Sequence, residues 1–287
     1  MRHELKAFCS ALAGFAFIAW SPAKAADLYK APPAVAAAYS WSGCYVGANA
    51  GFDSGRFGDT VIVPGGTLLI PGIGLIPFLG GSAGVAQSAT SAAAGFQGGC
   101  RWERADHWIL GFEGDFDWTD LHGTAAVYGV DPPFACTTGI CDGDTFTDRM
   151  HWESSARIVL GHSFGRWLVY GTGGYALTQV TMAANFIPIS LPGLPPFSGA
   201  TAGDTKLVNG GTIGMGTAYA IGRNWEIGAE YRFTFYSEPG AFNLGNAIPV
   251  CVQNPFGPGA TCANTTATGS KTLETNQIRV KLNYRFD

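Results

Sequence analysis

Residues 277–286 constrain the fold of this chain more than any other segment, because their side chains alternate strictly between polar and apolar. Every even-numbered position is apolar, and the odd-numbered positions include Arg279, Lys281 and Arg285. Successive side chains of a β-strand point to opposite faces, so the segment predicts a strand with one apolar face and one cationic face. About ten residues of such alternation is the length of a transmembrane β-strand, although a strand packed on a protein core shows the same pattern.

The N-terminal 25 residues have the features of a secretory signal peptide. A basic start precedes an apolar run over residues 8–20, and a small-x-small pattern ends at Ala25, which predicts cleavage before Ala26. Residues 26–40, which include Pro32 and Pro33, predict a flexible leader. The formal net charge of −4 and the lack of any Lys/Arg run argue against a nucleic-acid partner.

The sequence after the leader is apolar but contains no candidate membrane helix. Its most apolar stretch, residues 68–79, is interrupted by two prolines and two glycines, which a membrane helix would not contain together. A bilayer admits only helices and closed β-barrels, because every backbone polar group must be hydrogen-bonded within the protein. An exported apolar chain of this kind therefore predicts a barrel.

Strand-like segments and their connections predict the topology of that barrel. Eight segments have strand patterns, at residues 41–52, 94–103, 108–118, 150–162, 167–181, 208–221, 225–236 and 277–286. Short connections at 104–107, 163–166 and 222–224 alternate with long ones at 53–93, 119–149, 182–207 and 237–275. The sequence thus predicts an all-β fold over residues 41–287, an eight-stranded antiparallel up-and-down transmembrane β-barrel with four long loops on one rim and three tight turns on the other.

The orientation of the apolar faces is not decided by periodicity. A soluble barrel of the lipocalin type would place them inside and the charges outside. The one-sided long loops favour lipid on the outside, and so do tryptophans near strand ends, which predict aromatic girdles at the two membrane interfaces. These residues are Trp41, Trp102, Trp108, Trp118, Trp152, Trp167 and Trp225.

With lipid outside, the charged faces of the strands meet in the lumen. Side chains just fill an eight-stranded barrel, so buried charges of both signs are expected to pair there and to plug it. A narrow polar path through the same charges is the alternative. The predicted lumen residues are Arg101, Glu103, Glu113, Asp115, Asp117, Glu153, Arg157, Glu226, Glu230, Arg232, Arg279, Lys281 and Arg285. The predicted pairs are Glu230 with Lys281, Glu226 with Arg285, and Glu113 with Arg157.

Six cysteines follow the predicted signal peptide. Two pairs are close in sequence within long loops, which predicts loop-stapling disulfides in an oxidising compartment. A third pair shares the outward face of adjacent strands, where a cross-strand bond is compatible with the pattern. The candidate disulfides are Cys136–Cys141, Cys251–Cys262 and Cys44–Cys100. No histidine lies at metal-ligand spacing from these cysteines, so no metal site and no cofactor are predicted.

Three classes of function are compatible with such a barrel. The first is an envelope-structural or surface-interaction role, and the second is a small-solute porin. The third, a lipid-acting enzyme, would need His122, His151 and Ser154 to converge; they have no spacing motif, so no enzyme is predicted. The apolar, proline-rich segments 68–79, 187–197 and 254–258 predict loop tips that contact a protein partner, or that pack on one another as a lid.

Several motifs resemble those of a known family. They are the leader at 26–33, the segments 41–47 and 171–176, and the terminal segment 280–286. On these motifs the chain resembles the porin-family, outer-membrane immunogenic or opacity-type β-barrel proteins of alphaproteobacteria. The resemblance implies a barrel in contact with outer-membrane lipid, inserted by the barrel assembly machinery as a partner. It implies that this machinery recognises the terminal strand through Val280, Leu282, Tyr284 and Phe286.

Overall fold

The computed structural model describes residues 39–70, 72–129, 140–188, 199–237, 241–245, 248–253 and 260–286. This part of the chain contains no helix that is long and apolar enough to cross a membrane. The predicted signal peptide, its cleavage site at Ala25 and Ala26, and residues 27–38 of the predicted leader lie outside it. The strands are β1 (Gly43–Val63), β2 (Gly66–Ile70), β3 (Gly74–Phe78), β4 (Gly81–Glu103), β5 (Trp108–Ala126), β6 (Thr145–Phe164), β7 (Trp167–Phe186), β8 (Ala200–Ala220), β9 (Trp225–Tyr236), β10 (Phe242–Asn243), β11 (Ile248–Gln253), β12 (Ala260–Thr265) and β13 (Thr268–Phe286).

Eight long strands form one antiparallel sheet that closes on itself. Their order is β1-β4-β5-β6-β7-β8-β9-β13, and β13 also pairs with β1. The closing pairing runs from Cys44 opposite Phe286 to Ile62 opposite Thr268. The short strand β10 adds to β13, and β2–β3 and β11–β12 form separate hairpins. The prediction of an antiparallel up-and-down barrel is confirmed.

The three predicted tight turns join β4 to β5, β6 to β7 and β8 to β9. Two of them use left-handed backbone, at His107 with φ of 64° and at Gly165 with φ of 63°. The barrel begins at Gly43 and ends at Phe286 at this same edge, which we call the tight-turn rim. The opposite edge, which carries the longer connections, is the loop rim.

All barrel strands except β9 are clearly longer than the sequence predicted, and the four predicted long loops are correspondingly shorter. Seven of the eight barrel strands have 19 to 23 residues, whereas a transmembrane strand needs only about 9–11. Many residues assigned to loops continue the strands, for example 53–63 in β1 and 81–93 in β4. Most of their outward side chains are small or polar, with Ile62 and Leu207 as exceptions, so no apolar alternation marks them. Only β9 has the predicted bounds.

The polarity of the barrel wall inverts along the strand axis. In β13 the apolar side chains of the segment 278–286 face outward, from 65% exposed at Ile278 to 39% at Tyr284, while Arg279 and Lys281 are buried. Nearer the loop rim, Thr272 and Glu274 face outward and Leu273 faces inward. We call the part with apolar outward side chains the lower half, and the part with polar outward side chains the upper half.

The interior of the upper half contains two clusters of buried apolar side chains. The middle cluster lies just above the lower half and consists of Phe57, Ala89, Leu121, Met150, Ala176, Val180, Val208, Tyr236 and Leu273. The upper cluster lies nearer the loop rim and contains, among others, Val61, Phe146, Met182, Phe186, Phe242 and Leu244. The lower half therefore has the arrangement of a membrane barrel, with apolar side chains outside. The upper half has the arrangement of a soluble barrel, with apolar side chains inside. The sequence alone left these two arrangements as alternatives.

The barrel lumen as candidate functional site

Buried ion pairs fill the lumen of the lower half. Arg157 lies 2.6 Å from carboxylate oxygens of Glu113, Asp115 and Glu230. Arg279 lies 2.6 Å from Glu230, 3.0 Å from Asp117 and 3.1 Å from Asp115. Each guanidinium therefore bridges carboxylates from two strands, β5 and β9.

Further ion pairs extend this arrangement toward both ends of the lower half. Arg232 contacts Asp115 at 2.9 Å and Asp117 at 3.0 Å, and it also pairs with Glu153. We define the lumen charge network as the six carboxylates and five cations Glu113, Asp115, Asp117, Glu153, Glu226, Glu230, Arg101, Arg157, Arg232, Arg279 and Lys281.

The structure places the members of the predicted pairs as follows. Lys281 lies 3.0 Å from Glu230, and Glu113 lies directly opposite Arg157 on neighbouring strands. The prediction that Glu226 pairs with Arg285 is wrong, because Glu226 pairs with Arg101 instead. Register explains the difference. Glu226 lies opposite Asn283, so Arg285 is nearer the tight-turn rim, where it donates to backbone carbonyls of Ser40 and Arg223.

Glu103 also departs from its predicted role in the lumen. It sits at the tight-turn rim, where its carboxylate accepts hydrogen bonds from the Trp41 backbone N–H at 2.8 Å and from the Ser163 hydroxyl. It lies 3.4 Å from Nδ1 of His107. Glu103 therefore ties Trp41, which precedes β1, to the β4–β5 turn and to the end of β6 rather than to a lumen cation.

Trp41 is not part of an aromatic girdle at the membrane interface, contrary to the prediction. Its side chain is fully buried in the lumen at the tight-turn rim, and Nε1 donates to the Gly165 carbonyl at 3.0 Å. It joins a rim cluster made of Trp41, Ile109, Val159, Leu168, Tyr170, Ala218 and Ala220, with Tyr39 packed against it. The other predicted tryptophans face outward, and Trp102, Trp108, Trp118, Trp167 and Trp225 are each about half exposed, between 47% and 57%.

Two kinds of lumen residue escaped the sequence prediction. The first is a second ion-pair layer in the upper half, where Lys271 lies 2.8 Å from Asp59 and also pairs with Asp148. Its members fall in segments assigned to loops. The second is a set of tyrosines whose hydroxyls donate to the network, such as Tyr45 to Glu113 and Tyr236 to Glu153, both at 2.6 Å. For Tyr236 a signal was available, because it shares the inward face of β9 with Glu230 and Arg232.

Little space remains between these side chains. A cavity of about 10 Å³ lies in the lower lumen beside Tyr45, Glu113 and Lys281. That is about the volume occupied by one water. Rim, middle and upper apolar clusters lie at three levels of the lumen, one below and two above this cavity.

Three of the described cysteines form disulfides. Cys44 and Cys100 lie opposite each other on β1 and β4 and form a disulfide. Cys141 is disulfide-bonded, and its predicted partner Cys136 lies outside the described residues. The backbones of Cys251 and Cys262 are paired across the β11–β12 hairpin.

The histidines considered for lipid chemistry lie on the outer surface where the two halves meet. Nδ1 of His122 is 3.6 Å and Nδ1 of His151 is 3.8 Å from the Asp120 carboxylate. The Ser154 hydroxyl instead donates to the Asp115 carbonyl at 2.9 Å. The structure therefore brings the two histidines to an aspartate but shows the serine bonded elsewhere.

The loop rim carries an apolar hairpin. In β2–β3, Leu69 lies opposite Leu75, and their side chains are 63% and 66% exposed. Phe78 of the same hairpin packs against the upper cluster and anchors it. Of the other two predicted apolar segments, residues 254–258 and all but 187–188 of the third-loop segment lie outside the described residues.

Asp144 joins two of the longer connections at this rim. Its carboxylate accepts hydrogen bonds from the backbone N–H groups of Cys141 and Ile187, both at 2.8 Å. Burial raises the pKa of Asp144, and these two hydrogen bonds offset part of that effect.

The comparison with protein families agrees with this architecture. The family described as "Outer membrane protein beta-barrel domain" matches residues 13–286. The chain is 28% identical to the 31 kDa outer-membrane immunogenic protein of Brucella melitensis biotype 1, over 96% of this chain and 98% of the relative, and equally to that of Brucella suis biovar 1. Among solved structures it is similar to the outer membrane protease OmpT of Escherichia coli (10% identity, TM-score 0.44, covering 88% of this chain and 99% of that one) and to Neisserial surface protein A (13%, 0.37, 85% and 98%). The predicted resemblance is confirmed: the chain belongs to the outer membrane protein beta-barrel domain family and is an integral protein of the cell outer membrane.

Proposed function

We propose that this protein is a non-conducting barrel that holds an apolar contact surface above the outer membrane for a protein partner. One observation carries the proposal: the strands continue for about as many residues above the membrane-spanning part as within it, and their outward side chains there are mostly small or polar. A solute channel needs no such extension. A support that raises its loop rim clear of the lipid headgroups does.

The closed lumen is the first part of the proposal. Its support is the network of bridging guanidinium groups in the lower half and the apolar clusters above and below it. Conduction needs a continuous column of water, which the packed interior of an eight-stranded barrel rarely leaves. Within the part of the interior that the structure describes, nothing favours the porin alternative.

The β2–β3 hairpin is the second part. Leu69, Leu75 and Leu79 are each more than 60% exposed at the loop rim. Exposed apolar side chains that cluster at one end of a soluble surface are typical of protein-contact sites. The anchoring of Phe78 in the upper cluster gives the hairpin a fixed base, which lowers the entropic cost of binding.

A photo-crosslinking residue tests this surface in intact cells. Placed at Leu75, it is expected to form adducts with a partner protein, whereas the same residue at Ser88, exposed on the upper wall, is the matched control and should form none. Changing Leu69 and Leu79 to serine should reduce the Leu75 adducts at least tenfold, since each buried leucine at an interface contributes about 1.5–3 kcal/mol. Adducts at Ser88 equal to those at Leu75 would count against a contact surface on the hairpin.

No catalytic step is part of this proposal. Ser154 is the hydroxyl that was considered as a nucleophile beside Asp120, His122 and His151, but it donates to the backbone carbonyl of Asp115 instead. A partner during insertion, the barrel assembly machinery, is expected from the terminal strand, whose outward residues Val280, Leu282, Tyr284 and Phe286 form a continuous apolar row.

A further inference from the structure

One disulfide lies on the outward, apolar face of the lower half. Cys44 on β1 and Cys100 on β4 are directly opposite each other and are bonded. Their side chains point away from the lumen, since the next residues along the two strands, Tyr45 and Arg101, are buried in it. The bond therefore faces lipid when the barrel is inserted.

Apolar side chains surround this bond on the barrel wall. Phe286 of β13 lies opposite Cys44, and Phe112 of β5 lies opposite Cys100. Both phenylalanines point outward, at 49% and 52% exposed, and Trp102 covers the side nearer the tight-turn rim. Thiol–disulfide exchange proceeds through a thiolate, which apolar surroundings disfavour. Exchange at this position is therefore suppressed once the barrel is in the membrane.

The bond also supplies a connection that β1 otherwise lacks. Tight turns join β4 to β5, β6 to β7 and β8 to β9, and of the eight barrel strands that the structure describes only β1 and β13 have no turn at that rim. The disulfide links β1 to β4 there, across 56 residues of sequence. It does for β1 what the tight turns do for the other strands.

The composition of β4 explains why such a link matters. Gly, Ala and Ser make up 14 of its 23 residues. A slip of β1 by two residues along β4 keeps every side chain on its face and mostly exchanges one small neighbour for another. Register is weakly specified in strands of this kind. Only one register brings Cys44 opposite Cys100, so the bond selects it.

We propose that a thiol–disulfide oxidoreductase of the periplasm forms the Cys44–Cys100 bond before the chain inserts, and that the bond fixes the register of β1 on β4 before β13 closes the barrel. The periplasm is an oxidising compartment, and an outer-membrane protein crosses it before insertion. The closing pairing of β1 with β13 runs from Cys44 to Ile62. A slip of β1 on β4 would change the stagger with which this last pairing must close.

The oxidation is an exchange between a dithiol and a disulfide. One thiolate of the chain attacks the disulfide of the oxidoreductase and forms a mixed disulfide with it. The second thiolate then attacks the chain sulfur of that mixed disulfide and releases the oxidoreductase as a dithiol. The chain loses two protons and two electrons: its S–S bond forms, and the electrons reduce the S–S bond of the oxidoreductase, whose sulfurs take up two protons.

Folding kinetics test the effect on register. The double variant Cys44→Ser with Cys100→Ser and the wild type are unfolded in urea without reductant and folded into lipid vesicles. A cross-link between strands that are already paired in the transition state changes the folding rate, whereas one that matters only in the native barrel changes the unfolding rate. The double variant should fold at least about tenfold more slowly and unfold at a nearly unchanged rate.

A relocated bond is the matched control. Arg56 and Ser88 are exposed and directly opposite each other on the same two strands, twelve positions farther along, in the upper half. Adding Arg56→Cys and Ser88→Cys to the double variant fixes the same register from a place in water. This relocated bond should restore most of the folding rate.

The order of the two events is tested by exchange after insertion. Wild type and the relocated-bond variant are folded in vesicles with their disulfides formed and then treated with reduced glutathione, a charged thiol that lipid excludes. Reduction needs the same mixed disulfide as oxidation, so it reports access in both directions. By peptide mass spectrometry, the Cys44–Cys100 bond should be reduced at least about tenfold more slowly than the relocated bond, and at a similar rate when both chains are unfolded in urea.

Three results would overturn the proposal. The first is a double variant that folds as fast as wild type, or that differs from it only in faster unfolding. The second is a relocated bond that does not restore folding, which remains a valid readout if the double variant does not fold at all. The third is a Cys44–Cys100 bond that glutathione reduces in the inserted barrel as fast as the relocated bond.

Discussion

Replacing Arg279 with alanine is expected to destabilise the barrel by about 3–5 kcal/mol, because it leaves buried carboxylates without their cation. The Arg279 guanidinium contacts Glu230, Asp115 and Asp117, and all of these side chains are excluded from solvent. Arg157 and Arg232 remain, but each is already committed to carboxylates of the same network. Urea unfolding in detergent micelles, followed by tryptophan fluorescence, measures the loss.

Arg56 supplies the matched control for this experiment. It is an arginine on β1 that faces outward in the upper half, opposite Glu274 of β13. Exposed ion pairs contribute about 0–1 kcal/mol, so Arg56→Ala should change the free energy of unfolding by less than about 1 kcal/mol. Equal losses for Arg279→Ala and Arg56→Ala would mean that the lumen charges are well solvated, which contradicts a packed interior.

The second large effect is expected on the outer wall, where one substitution should behave differently at two levels of one strand. Leu282→Arg places a charge in the middle of the apolar band of β13, and arginine at the lipid-facing midplane of a barrel costs about 2–4 kcal/mol. Thr272→Arg makes the same residue on the same face ten positions earlier, in the upper half. Its effect should stay within about 0.5 kcal/mol, as for ordinary surface substitutions.

This pair is measured in lipid vesicles rather than in micelles, because the penalty depends on depth in the bilayer. A loss at Thr272 as large as that at Leu282 would place the upper half in lipid. Small losses at both positions would place neither half there. Only a large difference between the two positions agrees with a wall whose outward side chains change from apolar to polar on the loop-rim side of residue 277.

The sequence predicted the lower half well because two independent periodicities agree there. The apolar row of β13 and the acidic row of β5 each alternate over ten residues, and closing the barrel turns both charged rows into the same lumen. Glu113 and Arg157 could be matched because each lies about five residues from the end of its strand at the tight-turn rim.

Other features could not be read from one strand at a time. The upper half has small or polar residues outside and scattered apolar residues inside. Phe57, Leu121 and Leu273 therefore cannot be recognised as core residues from one strand, because their cluster forms only when three strands come together. Register decides the partner of Glu226, since an offset of one pair of residues moves Arg285 to the rim. Trp41 looked like a girdle residue, but it precedes β1 and folds back into the lumen.

Single-channel recording of the purified protein in planar bilayers tests the central claim, that the lumen is closed, most directly. Wild-type protein is expected to insert without discrete current steps, because the rim, middle and upper clusters interrupt any column of water. A double variant, Trp41→Gly with Arg101→Ala, removes one side chain from the rim cluster and one from the lumen charge network, and it should also stay silent while the middle and upper clusters remain. Stable, discrete openings of the wild-type protein, reproduced at both voltage polarities, would contradict the account.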